Sequence, residues 1–209
     1  MWLRKLALAT VVALKCSLQA SALEISFKHL IGDKLIRHNS LRYQNSSAEE
    51  YSSTRLSYLV SGFALQSVDG EWIAPQDTIA WIDSIHSRTR YKLDSIPSNK
   101  YQKLAFYVGV HSSLNHTDPA QFPADHPLNP NLNNLHWNWE GGYIFMALEG
   151  HWRVKEQSAV EGYAYHYATD AMYTRVGLPI QHDLNEDSQI TIGLDLDHIL
   201  DGLSFEKDG

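Results

Sequence analysis

The chain has 209 residues, 44% of them hydrophobic, with 24 acidic against 17 basic side chains, a formal charge of −7 and one cysteine. This length suffices for one domain with its own core. The acidic balance argues against nucleic acid as a partner, and one cysteine excludes a disulfide framework.

Residues 1–22, MWLRKLALATVVALKCSLQASA, read as an export signal. Arg4 and Lys5 precede an apolar stretch over 6–14, and Ala20-Ser21-Ala22 is the small-x-small pattern that a signal peptidase cuts. The apolar stretch is too short for a bilayer, which needs about 20 residues. Cleavage after Ala22 predicts one domain over 23–209, beginning at Leu23 and exported to the periplasm, the outer cell surface or the medium. Lys15 stands before Cys16 where a lipobox requires a small residue, which argues against a lipid anchor. Cleavage also takes Arg4, Lys5, Lys15 and Cys16, so the mature charge is near −10 and the core alone must hold the fold. Without thiols, blue copper, thiolate zinc and iron–sulfur centres are excluded. Met146 and Met172 are the methionines left and lie far apart in the chain, so any metal is expected on nitrogen and oxygen.

Along the mature chain the pattern is that of strands. Residues 24–30 alternate, with Ile25 and Phe27 on one face and Ser26 and Lys28 on the other. Residues 56–65 (LSYLVSGFAL), 78–85 (TIAWIDSI), 104–110, 143–148 and 189–196 follow as further strands, with turns at 68–71 and 96–99. Helical spacing is scarce. The expectation is a mainly β, antiparallel sandwich with long ordered loops and few short helices. Residues 119–134, broken by four prolines and a run of asparagines, form one such loop, close to the site.

Between His111 and Trp152 the chain places five of its eleven histidines and three of its six tryptophans. Imidazole is the commonest neutral ligand for copper, zinc and iron, so this density points to a metal site. No HxxxH or HxH spacing ties two of these histidines together, and each alone is equally a surface or hydrogen-bonded residue.

Taken together, FKHLIG near the mature start, LSYLVSGFALQSVDG, KLAFYVGV, NHTDPA, LHWNWEGGYIFMALEG and YAYHYATD resemble the MbnP-like family over most of the mature chain. The WxWxxGY core with NHxDPA about twenty residues before it is the more specific part. Within that family the chain looks most similar to the copper-repressible surface proteins of methane-oxidising bacteria. The resemblance implies one copper ion, largely Cu(I), held by two imidazoles, a water and the amino nitrogen of kynurenine, an oxidised tryptophan. It also implies a partner, a di-haem MauG-like peroxidase, because a tryptophan does not open its own ring.

The chemistry is sound. An intact indole nitrogen is a donor only, whereas ring opening creates an aromatic amine able to coordinate. One relative builds its site on a tryptophan and a histidine two residues apart, and this sequence has no WxH, so that pairing does not transfer. Context places the ligands at His86, at the end of the strand that carries Trp81, and at His136, beside Trp137 at the head of the family core. Trp81 is the expected modified residue, and Trp137 and Trp139 compete with it, although two positions apart on a strand they share a face and are expected to pack together. His166 is read either as a ligand or as a hydrogen-bonded core histidine. His116 is expected to fix its loop through the backbone, and His29 to face the core.

Asp183, Asp187, Asp195, Asp197 and Asp201 make the C-terminal region acidic. Calcium there lacks any EF-hand spacing, and a solvated face is the expectation. Two other function classes stand beside copper binding in acquisition or sequestration. One is a copper-dependent oxidative enzyme, but the lytic type needs an N-terminal histidine and the expected terminus is Leu23, so no enzyme is expected. The other is a carbohydrate-binding module in which exposed Trp72, Trp137 or Trp152 stacks on a sugar.

Overall fold

The computed structural model describes residues 20–137, 141–156 and 158–208. The first nineteen residues, Cys16 among them, lie outside the described part, as does Trp139. Among the described residues there are thirteen strands. They are β1 (Ala20–Ile31), β2 (Lys34–Leu35), β3 (Tyr43–Gln44), β4 (Glu50–Ser67), β5 (Trp72–Ile73), β6 (Ile79–Asp83) and β7 (Arg90–Pro97). There follow β8 (Asn99–Val108), β9 (His136–Trp137), β10 (Gly142–Arg153), β11 (Glu161–Ala168), β12 (Thr174–Leu184) and β13 (Ser188–Asp195). Four single-turn helices, α1 (Ser112–Asn115), α2 (Pro130–Asn133), α3 (Leu196–Ile199) and α4 (Phe205–Asp208), and two 3₁₀ turns, Pro119–Gln121 and Asp170–Met172, complete the set. No described helix is long and apolar enough to cross a membrane.

A small sheet carries β13, β1 and β7 with β2 at its end, and a large sheet follows the order β11-β10-β4-β8-β12. The long strand β4 organises the large sheet. Tyr58 pairs with Met146 on one edge and Ile82 on the other, while Val60 pairs with Val108 and Ala80. Strands β10 and β8 therefore share one edge of β4 end to end, and β6 runs along the opposite edge. At the junction Gly109 (φ +103°) turns the chain out, where a Cβ would meet the Phe145 ring, and residues 109–135 lie outside the strands before β9 pairs with β10.

Alternation along β4 and β6 sorts the side chains into two cores. Leu56, Tyr58, Val60, Ala80 and Ile82 face the small sheet, where Leu23, Ile25, Phe27 and Leu93 meet them. Leu59, Trp81, Tyr143, Phe145 and Ala147 point to the other face, where Val110, Leu128 and Leu135 of the 109–135 excursion cover them. Each fully buried large apolar side chain is worth about 1.5–3 kcal/mol. Around β4, β6 and β10 both faces of the large sheet are thus covered, one by the small sheet and one by the loop, whereas β12 turns an exposed face outward.

The expected sandwich is present, with four differences. Strand β1 pairs with β13 in parallel, so the small sheet is mixed. Strands β7, β11 and β12 were not foreseen. In β12 Val176, Leu178 and Ile180 alternate, but Pro179 reads against a strand, and it is accommodated because β12 is an edge strand whose register shifts between Pro179 and His182. Strand β6 ends at Asp83, leaving Ile85 and His86 in a turn. Trp152 is buried, stacked on Phe205, and Trp137 is half-buried, so of the three tryptophans offered for sugar stacking only Trp72 is exposed.

The C-terminal acidic residues are spread over separate bonds rather than one face. Asp187 accepts from Ala22 N–H, Asp195 from the N–H groups of Gly32 and Asp197, and Asp197 from the Tyr51 hydroxyl.

Candidate metal centre

The loop that covers the second core is ordered by polar caps of its own sequence. His111 Nδ1 accepts from Ser113 N–H to start α1, Asp118 accepts from Ala120 N–H, and Asn129 accepts from Asn131 N–H with Pro130 at the first helical position. Asn134 closes α2 in the left-handed region at φ 53°. The Asn115-His116 pair then straps the loop to the sheet. Asn115, almost fully buried, donates to Asp170 Oδ1 (2.8 Å) and accepts from Tyr143 N–H (2.7 Å).

His116 Nδ1 bonds the Gly141 carbonyl (3.1 Å), as expected for a loop-fixing histidine, and Nε2 bonds Asp170 Oδ2 (3.0 Å). The bond to Asp170, then the one to Gly141, pushes the His116 imidazole up from its ordinary value, while bonds from Asn115 and His116 hold the Asp170 carboxyl down. The NHxDPA stretch and the final aspartate of YATD are therefore two halves of one clasp.

At the end of the second core lies a cleft of about 350 Å³, lined by Arg55, Trp81, Asp83, His86, Asn134 and Glu149 among others. Trp81 forms its inner wall. Its ring is 8% exposed, Nε1 donates to Ser57 Oγ at 2.7 Å, and the Arg88 guanidinium lies 5.1 Å over the ring while donating to the Trp81 carbonyl. His86 stands in the turn after β6 with its side chain 73% exposed. Asp83, itself buried, accepts from both the His86 backbone N–H (2.8 Å) and Nδ1 (2.9 Å). A carboxylate only accepts, so Nδ1 carries the proton and the lone pair of neutral His86 is on Nε2. This is the carboxylate–imidazole arrangement that orients histidines toward metals.

Across the cleft, Glu149 Oε1 takes Arg55 Nη1 at 2.8 Å and His166 Nε2 at 2.9 Å, and Arg55 Nη2 donates to the Asn134 carbonyl. Burial works to raise the Glu149 carboxyl, but the bonds from His166 and Arg55 outweigh it and hold the group below its ordinary range. His166 is thus a second imidazole backed by a carboxylate, with the Trp137 ring centroid 6.2 Å away.

Of the residues singled out from sequence, Trp81 and His86 meet in this cleft, and Glu149 joins His166 to its wall. His136 is not among the lining residues. It sits half-buried in β9 with its ring edge-on to Tyr143 at 4.8 Å, opposite Tyr143 in register. His29 is buried on the inter-sheet face against the Tyr58 hydroxyl (3.0 Å), as alternation predicted, and burial pushes it down to about 4.

Asp83, Glu149 and His38 were not foreseen. His38 bonds Ser53 Oγ and, through Nε2, Ser84 Oγ in the turn that holds His86. Asp83 alone had a visible signal, since it stands two residues after Trp81 on the same strand face. It occupies the place that a WxH motif would give to histidine. Among the described residues no three His, Cys, Asp or Glu side chains are grouped to hold a metal.

Comparison with known proteins gives one consistent result. The sequence profile of the MbnP family matches residues 20–209. The solved structure of MbnP from Methylosinus trichosporium is similar in fold, with a TM-score of 0.57 at 16% identity, covering 81% of this chain and 76% of that one. No curated protein matches.

Proposed function

Since the chain belongs to the MbnP family, which is linked to copper, we propose that it is an exported, periplasmic or cell-surface copper-binding protein acting in copper acquisition or sequestration, without catalytic activity of its own. The observation that carries the reading is that Trp81 and His86 line one cleft, with the His86 ring oriented by Asp83. In this proposal His86 Nε2 supplies one nitrogen and ring-opened Trp81 a second. His136 supplies the other imidazole, or else His166, whose Nε2 is already held by the cleft residue Glu149.

The donors present in the unmodified chain fit copper in part. Imidazole nitrogen is of the borderline softness copper prefers, but no ready group of three ligands is formed by His, Cys, Asp and Glu among the described residues. Ring opening of Trp81 adds the missing type of donor. A peroxide-using di-haem partner would accomplish it with two equivalents of hydrogen peroxide. Both oxygens added across the indole C2–C3 bond come from peroxide, two waters leave, and hydrolysis releases formate to uncover the aromatic amine. The Trp81 nitrogen that donates to Ser57 would then own a lone pair. The remaining groups position: Asp83 orients His86, and Arg55 and Glu149 hold the opposite wall.

Copper titration of His86→Ala, His136→Ala and His166→Ala, each checked for folding, tests the reading. His86→Ala should lose most copper, and one of the other two should do likewise. Wild-type copper binding by His86→Ala would refute the site.

A further inference from the structure

Met146 and Met172 are the only methionines beyond the initiator, and they stand 26 positions apart in the sequence. The fold brings both to one cleft of about 370 Å³, where His198 joins them. Three local features produce the meeting. A register shift between Ile144 and Met146 sets Met146 opposite Tyr167, on the face toward the small sheet. Strand β11 then ends in the 3₁₀ turn Asp170–Met172, which returns Met172 beside Tyr167. From the other side α3, capped by Asp195, presents His198 in its last turn. The expectation that sequence distance keeps the two thioethers apart is thereby corrected.

The lining of this cleft is Val108, Met146, Tyr167, Met172, Thr174, Leu194, His198 and Ile199, with no carboxylate among them. That donor set selects by chemistry. Two thioethers and one imidazole are soft, neutral ligands, and hard or doubly charged ions would lose hydration there without an anionic partner in return. A soft monovalent ion has the least to lose. Met172 is also 39% exposed, so the cleft opens to solvent beside it.

We infer that Met146, Met172 and His198 form a second metal site, for Cu(I), built from thioether sulfur and imidazole and separate from the Trp81–His86 cleft. The site needs no ring-opened tryptophan and no oxidising partner, so it is present in the chain as translated. Its three ligands are neutral, which suits reversible loading of a monovalent ion rather than permanent storage.

Silver(I) is the probe, being a soft monovalent ion with the same ligand preference and no redox chemistry in air. Protein labelled with ¹³C at the methionine methyls is titrated with silver nitrate in a chloride-free buffer, and Met146→Leu and Met172→Leu, both close in volume to the native residue, assign the two signals. Both methyl resonances should move together and saturate at one equivalent. His198→Gln should raise the silver concentration needed by about tenfold or more, since even the loss of a partner behind a ligand costs about that much. His86→Ala should leave this titration unchanged, which separates the site from the one proposed above. Methyl signals that stay fixed while silver binds elsewhere, or that move at different equivalents, would overturn the inference. So would a His198→Gln protein that titrates as wild type.

Discussion

The Trp81 indole donates to Ser57 Oγ at 2.7 Å, between neighbouring strands β6 and β4, in a core that the 109–135 loop closes. The nitrogen that the proposed chemistry would convert into a ligand is therefore already held in place by the sheet. Removing the acceptor with Ser57→Ala should leave a buried N–H unpaired and cost about 1–3 kcal/mol. Urea unfolding of the unmodified protein measures this. A variant as stable as wild type would show that the bond contributes little to holding the ring.

In the proposed site Asp83 would act through His86, as a positioning residue. Asp83→Asn keeps the shape and loses the charge-assisted bond to Nδ1, so copper affinity should fall by about 10–100-fold, as for other carboxylates behind ligand histidines. Substituting the exposed His86 itself should change stability by no more than about 0.5 kcal/mol. Parallel copper titration and thermal unfolding of the two variants separate positioning from packing.

Acid should destabilise the fold through its buried imidazoles. Burial lowers His29 from 6.5 to about 4 and also lowers His38. Between those pH values the unfolded chain takes up a proton at position 29 that the folded chain refuses, so stability falls as pH drops from 6.5 to about 4. For His29 the loss is on the order of 3 kcal/mol. The raised His116 has the opposite sign, since its contribution is present below 6.5 and fades as pH rises through its folded value. Denaturant unfolding across this range should show the acid slope, and His29→Gln should flatten it.

The loop clasp can be tested at Asp170, which receives Asn115 and His116 together. Asp170→Asn removes the charge that holds His116 protonated, so the His116 imidazole should titrate at lower pH than in wild type. An NMR titration of the histidine ring protons reads this directly. Amide exchange across the 109–135 loop should quicken at the same time, because Asn115 also loses a charged acceptor.

Period-two alternation made the strands legible wherever one face meets a core, as with Ile25 and Phe27 or Trp81 against Ile82. It failed in β11, where Tyr163, Tyr165 and Tyr167 alternate with Ala164 and His166, so that aromatic bulk rather than apolar contrast marks the faces. It failed also in β12, where Pro179 masks an edge strand. The parallel pairing of β1 with β13 joins the first and last strands, and no local pattern announces such a contact.

At the site, Trp81 and His86 were readable because five residues of sequence bring them near each other. His166 was named from the sequence as well, but its pairing with Glu149 was not, since that meeting depends on the register between β10 and β11. The two methionines became partners for the same reason.

In the proposed chemistry Trp81 becomes a copper ligand by losing its closed ring. Peptide mapping by mass spectrometry, on protein taken from its native host or coexpressed with the di-haem oxidase, tests it most directly when each sample is also titrated with copper. The peptide containing Trp81 should gain one oxygen and lose one carbon, protein made without the oxidase should keep the intact indole, and tight copper binding should appear only with the change. Full copper affinity with Trp81 unmodified, or ring opening confined to another tryptophan, would contradict it.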